Sequence, residues 1–454
     1  MENGKWIRTE LSIYLSPFTK KLMAREIYDV VIVGGGPAGT CAAIHLAGAG
    51  ARVVLAEQRS FPRPKLCGEF VSPECLEHFV RLGVLERMEA AGGREVAETV
   101  FYARSGRSVS VPSEWFGGSS AEGWRGGAAL GLSRAEMDRR LLERAREVGV
   151  EVLEETRACG LLSSASGAAG AWVEGVRLKT DDGEVREVRE VRARLTIDAT
   201  GRSRSVARLA ERDVRRHRHV GRAKLVAFKA HVEGVERGAE GRCEIYFYGG
   251  GYGGLSPVES GRSNLCFIAS ARDVRACGSD AGRVMREVLW TNRRARWALA
   301  GASLRSEWLS VAIENFGRGE LVPARGLVAV GDAASFIDPF TGSGMLMALE
   351  SGELAAEVVG RRLRRLRETD ARRDATALDE LACEYRARYA ERFGARLGVC
   401  SWLRRAAFAP SSVIETAVLA LGASERVRRA LARATRGHGG ADFGWRGRKS
   451  SARG

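Results

Sequence analysis

Six residues near the start of the chain have the types and spacing of a phosphate-binding turn. Residues 34–39 read GGGPAG, after a β-branched run and before a segment of small residues. In such a turn Gly34 permits a tight bend, Gly36 lets the backbone approach a pyrophosphate, and Gly39 allows a helix to pack closely on a strand. The anion then lies at a helix N-terminus, where free N–H groups favour negative charge. The pattern therefore predicts a dinucleotide site.

An acidic residue follows at the distance that this kind of site requires. Glu57 lies 23 residues after Gly34, at the end of the next predicted strand. A carboxylate there accepts hydrogen bonds from both ribose hydroxyls and disfavours a 2′-phosphate. The nucleotide is therefore expected to be FAD or NAD rather than NADP.

A second segment favours FAD. The apolar run before Gly331 ends in Gly331-Asp332, and residues 338–345, DPFTGSGM, open another helix. Asp332 could bond a ribityl chain, and backbone N–H groups after Gly342 could bond the pyrimidine carbonyl of a flavin and stabilise negative charge at its N1. No His or Cys signature for covalent attachment is evident, so the FAD is expected to be noncovalent.

The elements that must position these residues are those of an α/β protein. Residues 26–57 predict a βαβ unit, and Ser133 with Glu136 forms a capping box for a helix. A strand-rich layer is expected over 223–270. Helices are expected near 280–299, from about Ser343, and over 376–407 and 411–433.

This alternation predicts a discontinuous Rossmann-like FAD-binding domain with an inserted β-rich substrate domain and a C-terminal helical region. The FAD-binding domain takes residues 26–92, 131–212 and 319–366, and the substrate domain takes 93–130 and 213–318. The chain is completed by an extension (1–25), C-terminal helices (367–435) and a basic tail expected to be disordered (436–454).

The composition and charge restrict the expected binding partners and the cellular compartment. Lys plus Arg number 72 and Asp plus Glu number 56, for a net charge of +16, but the two signs are interspersed and no nucleic-acid-binding motif accompanies them. No nucleic-acid partner is therefore expected. No metal site is expected either, because the cysteines form no C-x-x-C pair and the six histidines show no ligand spacing. Nine cysteines without a C-x-x-C pair, and no signal peptide, indicate a reducing cytoplasm. Basic runs at 212–222 and 361–367 raise the alternative of peripheral membrane contact.

Residues 26–400 resemble the geranylgeranyl reductase-like flavoproteins, within the p-hydroxybenzoate hydroxylase-type superfamily. The matching motifs are GGGPAG at 34–39, Glu57, the P-x-K-x-C-G-E segment from Pro64 to Glu69, Arg134, DATG at 198–201 and GDAASFIDPFTGSGM at 331–345. The resemblance implies an extended FAD with its adenine near Glu57 and its flavin near Pro339–Met345.

Carried over by position, the resemblance implies a set of cofactor contacts. They are Gly34, Gly36, Ala38, Gly39, Glu57, Cys67, Gly68, Arg134, Ala158, Asp332, Gly344 and Met345. Arg134 at the start of its helix also suits a pyrophosphate. Cys67, Pro339 and Gly342 are the expected catalytic positions. The Cys67 thiol could pack on the flavin, tune it or donate a proton, or could simply be a small buried apolar group. Lys65 could lower its pKa.

The substrate half departs from the family. The reductases carry an aromatic-rich F/Y-x-W-x-F/Y-P strand where this chain has Tyr252, Gly254, Ser256 and Pro257. Two large side chains are thus missing from the expected wall. Either Trp115 and Trp124 refill the space, or it admits a substrate wider and more rigid than a linear prenyl chain, which is the expectation here.

These features predict an FAD-dependent oxidoreductase acting on a hydrophobic organic substrate. The reaction is either reduction of C=C bonds or oxygenation by a monooxygenase of natural-product type. Halogenation is disfavoured because W-x-W-x-I-P is absent, and a non-catalytic nucleotide sensor is the alternative from another class. No second Rossmann segment is visible, so the electrons are expected from transiently bound NAD(P)H or from an electron-donor protein.

Overall fold

The computed structural model describes residues 27–116, 127–164, 171–180, 188–211, 223–236, 241–314, 316–368 and 375–436. The strands of the first half of the chain are β1 (Tyr28–Val33), β2 (Val53–Ala56), β3 (Phe70–Val71), β4 (Arg94–Val96), β5 (Glu98–Tyr102), β6 (Ser108–Pro112), β7 (Ala129–Gly131), β8 (Glu151–Leu153), β9 (Thr156–Ser163) and β10 (Val173–Thr180). Those of the second half are β11 (Val188–Asp198), β12 (Leu225–Glu233), β13 (Arg242–Tyr248), β14 (Gly251–Pro257), β15 (Ser263–Ser270), β16 (Ser303–Leu304), β17 (Leu309–Ile313), β18 (Gly317–Arg318), β19 (Leu327–Ala329) and β20 (Ser335–Phe336).

The α-helices of the described ranges fall between and after these strands. They are α1 (Pro37–Gly48), α2 (Pro73–Leu82), α3 (Leu85–Ala90), α4 (Arg134–Glu147), α5 (Ser205–Glu211), α6 (Ala271–Ala276), α7 (Ala281–Glu287), α8 (Arg293–Ala298), α9 (Gly344–Glu368), α10 (Ala375–Ala407), α11 (Ser411–Gly422) and α12 (Glu425–Ala434).

The first sheet carries the nucleotide motifs. Its parallel part runs β8-β2-β1-β11-β19, and β11 continues into an antiparallel extension with β10 and β9. Parallel strands place all their carboxyl ends at one edge of a sheet. The glycine turn after β1, Glu57 after β2 and Asp332 after β19 therefore meet at that edge, where open α/β sheets bind ligands.

The second sheet is the inserted layer. Its strands run β16-β12-β15-β14-β13-β5-β6 with β17 beside β12, and all pairs are antiparallel except β5 with β13. One face packs on α7 and α8 through a core that includes Tyr246, Phe267 and Leu289. The opposite face turns toward the first domain. The predicted fold class, with its inserted β domain and C-terminal helices, is confirmed.

Two of the predicted helices are interrupted. The segment 280–299 forms α7 and α8, because Asn292 leaves the helical path between them. Its Nδ2 donates to the carbonyls of Tyr102, Ala103 and Phe247, while its Oδ1 caps α8. The segment 411–433 breaks at Ser424, whose hydroxyl caps α12. Local periodicity does not reveal such tertiary bonds.

The basic run 361–367 is not a free cationic surface. Arg362 pairs with Glu384, Arg365 with Glu380, and Arg367 with Asp29. The run 212–222 lies outside the described residues. Within the described ranges, no helix combines the length and apolarity needed to cross a membrane.

Candidate active site

The glycine turn has the close contacts that its sequence predicts. Gly34 has φ +113°, and a Cβ there would lie 2.3 Å from the carbonyl oxygen of Ala199. A Cβ on Gly39 would lie 2.0 Å from the carbonyl oxygen of Gly34. Only glycine fits at these two positions. A Cβ on Gly36 would have room, since the nearest atoms belong to the guanidinium groups of Arg134 at 3.8 Å and Arg63 at 4.0 Å.

Glu57 is buried at the end of β2 and faces this turn. Its carboxylate accepts from Gly35 N–H at 2.8 Å and from Arg59 N–H at 3.2 Å, and it lies 3.3 Å from Arg63 Nη2. An ionised carboxylate has about four acceptor positions, so acceptor capacity remains for ribose hydroxyls. The first residues of β9 lie alongside, since Thr156 N–H donates to the Glu57 carbonyl, and Ala158 follows two residues later.

Two arginines supply positive charge beside Gly36. Arg134 opens α4 and donates from Nε and Nη2 to the Asp138 carboxylate, both at 2.8 Å, and Arg63 Nη1 lies 3.6 Å from the same group. Burial lowers the pKa of Arg134, but Asp138 and the Cys67 thiol raise it, and the net shift is upward. The Nε of Arg63 is buried without a hydrogen-bond partner among the described residues. The open backbone at Gly36 and the two guanidinium groups of Arg63 and Arg134 form a cradle that fits a pyrophosphate.

Sequence reasoning found Arg134 but missed Arg63 and Asp138. Asp138 could have been found, because an acid four residues after an arginine lies beside it on a helix. Arg63 lies in a loop between two prolines, where the sequence does not indicate which way its side chain points.

The second motif packs directly against the first. Gly331 has φ +59°, and a Cβ there would lie 2.9 Å from the Ala38 side chain. Asp332 follows among cations: burial raises its pKa, opposed by Lys65, Arg202 and Arg134. Lys65 thus interacts with Asp332, while Arg134 interacts with the Cys67 thiol. Asp198 of the DATG motif is structural, since it accepts from Thr200 and from Ala207 N–H.

The loop from Asp338 to Gly344 precedes α9. Pro339 lies in a short 3-10 turn that Asp338 caps, and Gly342 has φ +62°. The carbonyls of Thr341 and Gly342 accept from the Arg436 guanidinium at 3.1 and 3.4 Å. Arg436 is itself buried, at the point where the basic tail was predicted to begin. Gly344 is the first residue of α9, and Met345 is buried behind it.

The Cys67 segment is fixed by the second sheet. Asn264 Nδ2 donates to the Cys67 carbonyl at 3.0 Å, and Lys229 Nζ donates to the Lys65 carbonyl at 3.0 Å. The Cys67 thiol is half-buried and accepts from Glu69 N–H at 3.5 Å, next to the exposed Gly68.

Glu69 anchors the same segment from a left-handed conformation, with φ 54°. Its carboxylate accepts from Arg134 N–H at 2.8 Å, from His231 Nε2 at 2.7 Å and from Lys229 Nζ. Burial raises the pKa of Glu69, but His231 and Lys229 lower it by more. The net shift is downward, so the carboxylate stays ionised. These bonds join the two domains beside the cysteine.

The predicted substrate strand, β14, faces this site. The Tyr252 hydroxyl donates to Asp338, and its ring centroid lies 5.3 Å from that of Phe340 and 6.0 Å from that of Phe408. Gly254 is partly exposed, and a Cβ there would lie 3.1 Å from Ile245 Cδ1.

The remaining positions of β14 are enclosed. Ser256 and Pro257 are buried, and the Pro257 carbonyl would lie 1.9 Å from a Cβ on Gly131. Trp115 packs in the cluster that Ile245 joins, so it fills part of the neighbouring space. Trp124 lies outside the described residues.

The fold and these motifs define a two-domain FAD-dependent oxidoreductase. The chain belongs to the FAD binding domain family, which matches residues 27–356. It is 30% identical over 342 residues to a digeranylgeranylglycerophospholipid reductase of Methanosarcina acetivorans, covering 73% of this chain and 75% of that protein. It is 28% identical to a menaquinone reductase of Mycolicibacterium smegmatis, covering 73% and 76%.

A solved structure extends the likeness to the fold. A geranylgeranyl bacteriochlorophyll reductase-like protein from Thermoplasma acidophilum superimposes with a TM-score of 0.70 at 21% identity, covering 90% of this chain and 96% of that one. The expected resemblance to geranylgeranyl reductase-like flavoproteins is confirmed. The roles of individual site residues stay predictions.

Proposed function

We propose that this enzyme reduces carbon–carbon double bonds in an apolar lipid that carries an isoprenoid-type chain. The observation that carries the proposal is the aromatic wall that the second sheet builds against the 338–344 loop. Two relatives with reductase names, one for a digeranylgeranyl lipid and one for menaquinone, support the same chemistry.

The aromatic wall has the composition that an unsaturated hydrocarbon needs. The Phe340 ring is 5.6 Å from Phe247 and 5.9 Å from Phe101, in addition to its contact with Tyr252. Rings at these spacings offer large apolar surfaces and exclude water from the neighbouring loop. We propose that the lipid chain lies along this wall.

Saturation of a double bond requires a hydride and a proton. FAD, when bound and reduced, would supply the hydride, and the protein would orient the alkene and deliver the proton. The pair of Tyr252 and Asp338 suits this task, because burial raises the pKa of both side chains. Asp338 Oδ2 is buried without a hydrogen-bond partner among the described residues. Cys67 is the second candidate donor.

The width of the substrate follows from Gly254. The expected tryptophan is absent, and Ile245 with Trp115 fills part of the space. We propose that the remainder accepts a group wider than a linear prenyl chain, such as a ring joined to the isoprenoid. Electrons would come from NAD(P)H or an electron-donor protein, and the enzyme would work in the cytoplasm at the membrane periphery.

The test uses the FAD-loaded enzyme, reduced and mixed without oxygen with detergent-solubilised menaquinone or a digeranylgeranyl glycerophospholipid. We expect the flavin to reoxidise and one double bond of the isoprenoid chain to gain two hydrogens, with the ring-bearing lipid preferred. The mass gain is read after any quinol has been reoxidised in air, because reduction of the quinone ring alone also adds two hydrogens. Tyr252→Phe should retain FAD, slow this step and change its pH profile. A product that gains an oxygen atom under air identifies a monooxygenase instead. Bound flavin that no pair of reductant and substrate turns over identifies a sensor.

A further inference from the structure

The C-terminal helices carry a large share of the exposed apolar side chains. Nine large apolar side chains are exposed in the described part of the chain, and four of them lie between residues 402 and 427. They are Trp402 (59% exposed), Val413 (53%), Leu419 (53%) and Val427 (48%). Apolar side chains that gather at one surface, rather than lie singly, mark an interaction site.

Helix α11 is apolar on both of its faces. Ile414 and Val418 are buried in the cluster that contains Tyr252, Phe247 and Phe340, so the inner face contacts the aromatic wall. The outer face exposes Val413, Leu419 and the alanines 417 and 420, with Ser412 and Thr416 as its polar members. A largely apolar helix is typical of a core or of a membrane environment, and half of α11 has no core to cover it in the described structure.

Exposed arginines lie on the two helices that flank α11 in the chain. Arg426 and Arg433 lie seven residues apart on the exposed side of α12, and Arg405 is exposed near Trp402. No ion pair is recorded for these three among the described residues, in contrast to the paired run 361–367. Unpaired arginines beside exposed apolar groups complement the anionic headgroups and acyl boundary of a phospholipid bilayer.

The C-terminal helices also reach the loop from Asp338 to Gly344. Just after the end of α12, Arg436 donates to the carbonyls of Thr341 and Gly342, and Arg396 donates to the carbonyl of Arg436. One face of the helix pair is thus open to the outside, and the other contacts the aromatic wall and the 341–342 carbonyls.

We propose that α11, α12 and the end of α10 form a docking surface for an anionic phospholipid bilayer. On this surface α11 lies between the bilayer and the aromatic wall, so that a lipid substrate has a short apolar path to the site. The choice of a lipid surface rests on the proposed function. The geometry differs from the sequence expectation, which placed membrane contact on residues 212–222 and 361–367.

The experiment measures binding of the FAD-loaded full chain to vesicles. One set contains phosphatidylcholine and the other about one third phosphatidylglycerol. We expect binding to the anionic vesicles that weakens with salt. Val413→Asp with Leu419→Asp should weaken it at least tenfold. The matched control is Val80→Asp with Leu304→Asp, because these residues are also exposed, by 61% and 49%, but lie elsewhere. The control should bind as the unmodified chain does.

A second variant isolates the charge. Arg426→Gln with Arg433→Gln should weaken binding to anionic vesicles about 25-fold, from roughly fivefold per arginine, without changing binding to neutral ones. Equal binding by the Val413/Leu419 variant and its control overturns the proposal, as does equal binding to both vesicle types. A dimer that the Val413/Leu419 variant dissociates, without vesicle binding, would show that a second copy covers this face.

The proposed function is tested separately, with detergent-solubilised lipid. There the Val413/Leu419 variant should reduce substrate at the unmodified rate, since no bilayer is involved. Reduction without vesicle binding overturns the docking surface and leaves the reductase intact. Vesicle binding without reduction of any lipid overturns the reductase and leaves the surface intact.

Discussion

The nucleotide end of the first sheet and the aromatic face of the second are built by different means. At the first, three motifs follow strand ends, and backbone groups make most of the geometry: Gly34 and Gly39 lie against backbone carbonyls where no side chain fits, and Gly36 leaves the backbone open. At the second, single side chains from several strands converge, as Tyr252, Phe247 and Phe101 do around Phe340, and Ile414 and Val418 of α11 join the same cluster.

The difference explains why one half keeps its motif and the other departs from it. A backbone that must approach a phosphate admits few residue types, so the glycine turn can be recognised from the sequence alone. An apolar wall tolerates exchange of side chains if its volume is retained or the ligand changes. Gly254 and Ser256 are exchanges of that kind.

The largest effect on cofactor binding is expected from a charge placed in the nucleotide cradle. Gly36→Asp should fold, because a Cβ at Gly36 meets only guanidinium groups at 3.8 and 4.0 Å. Its carboxylate would take the place of the pyrophosphate between Arg63 and Arg134, and FAD affinity should fall at least about a hundredfold. Flavin fluorescence titration measures this. Gly48→Asp, at an exposed end of α1, is the control, and full FAD content in Gly36→Asp would contradict the cradle.

A bulky residue in the second half should leave the first half intact. Gly254→Trp restores the side chain of the reductase pattern and should reduce turnover of a ring-bearing lipid about a hundredfold, because the indole occupies its position. FAD content should not change. Steady-state rates with both lipids test this, with Gly254→Ala as the smaller step. Undiminished turnover would show that the substrate lies elsewhere.

The junction between the halves should carry a stability effect. Lys229→Met leaves Glu69 buried without one of its cations and should cost about 3–5 kcal/mol of unfolding free energy. Glu69→Gln combined with Lys229→Met removes both charges and should recover much of that loss. Urea unfolding of the unmodified chain and the two variants at neutral pH measures both values. A double variant no more stable than Lys229→Met would mean that the ion pair is not what joins the domains.

The smallest effect is a loss of folding stability at acidic pH. We expect His78, in the first domain, to cause it. Burial lowers the pKa of His78 from its ordinary 6.5 to about 3, although Glu353 opposes the shift. Below about pH 6.5 the unfolded chain binds a proton that the folded chain refuses, so stability falls as pH drops toward 3. The contribution is about 2 kcal/mol at pH 5, from ~1.4 kcal/mol per pH unit. His78→Asn should flatten this slope in urea unfolding at pH 7 and 5. An unchanged slope would assign the sensitivity to another group.

Much of the first domain was predictable because its signals are local. The order strand, glycine turn, helix, strand and acid appears as expected in β1, α1, β2 and Glu57, and α4 begins at its Ser133 cap. Each signal depends on neighbours within a few residues, where propensity and capping act.

Other parts depended on distant residues. Asn292 divides a predicted helix because it bonds three carbonyls from other strands, and the arginines of 361–367 find acids on α10 and at β1. The sequence determined that a nucleotide turn exists, where Glu57 and Asp332 follow their strands, and that β14 lacks two aromatic side chains. Tertiary structure decided that Arg63 joins Arg134, that Tyr252 meets Asp338, and that α11 is apolar on both sides. These outcomes bring together residues far apart in sequence, and only the packing of the two sheets and the C-terminal helices specifies which of them meet.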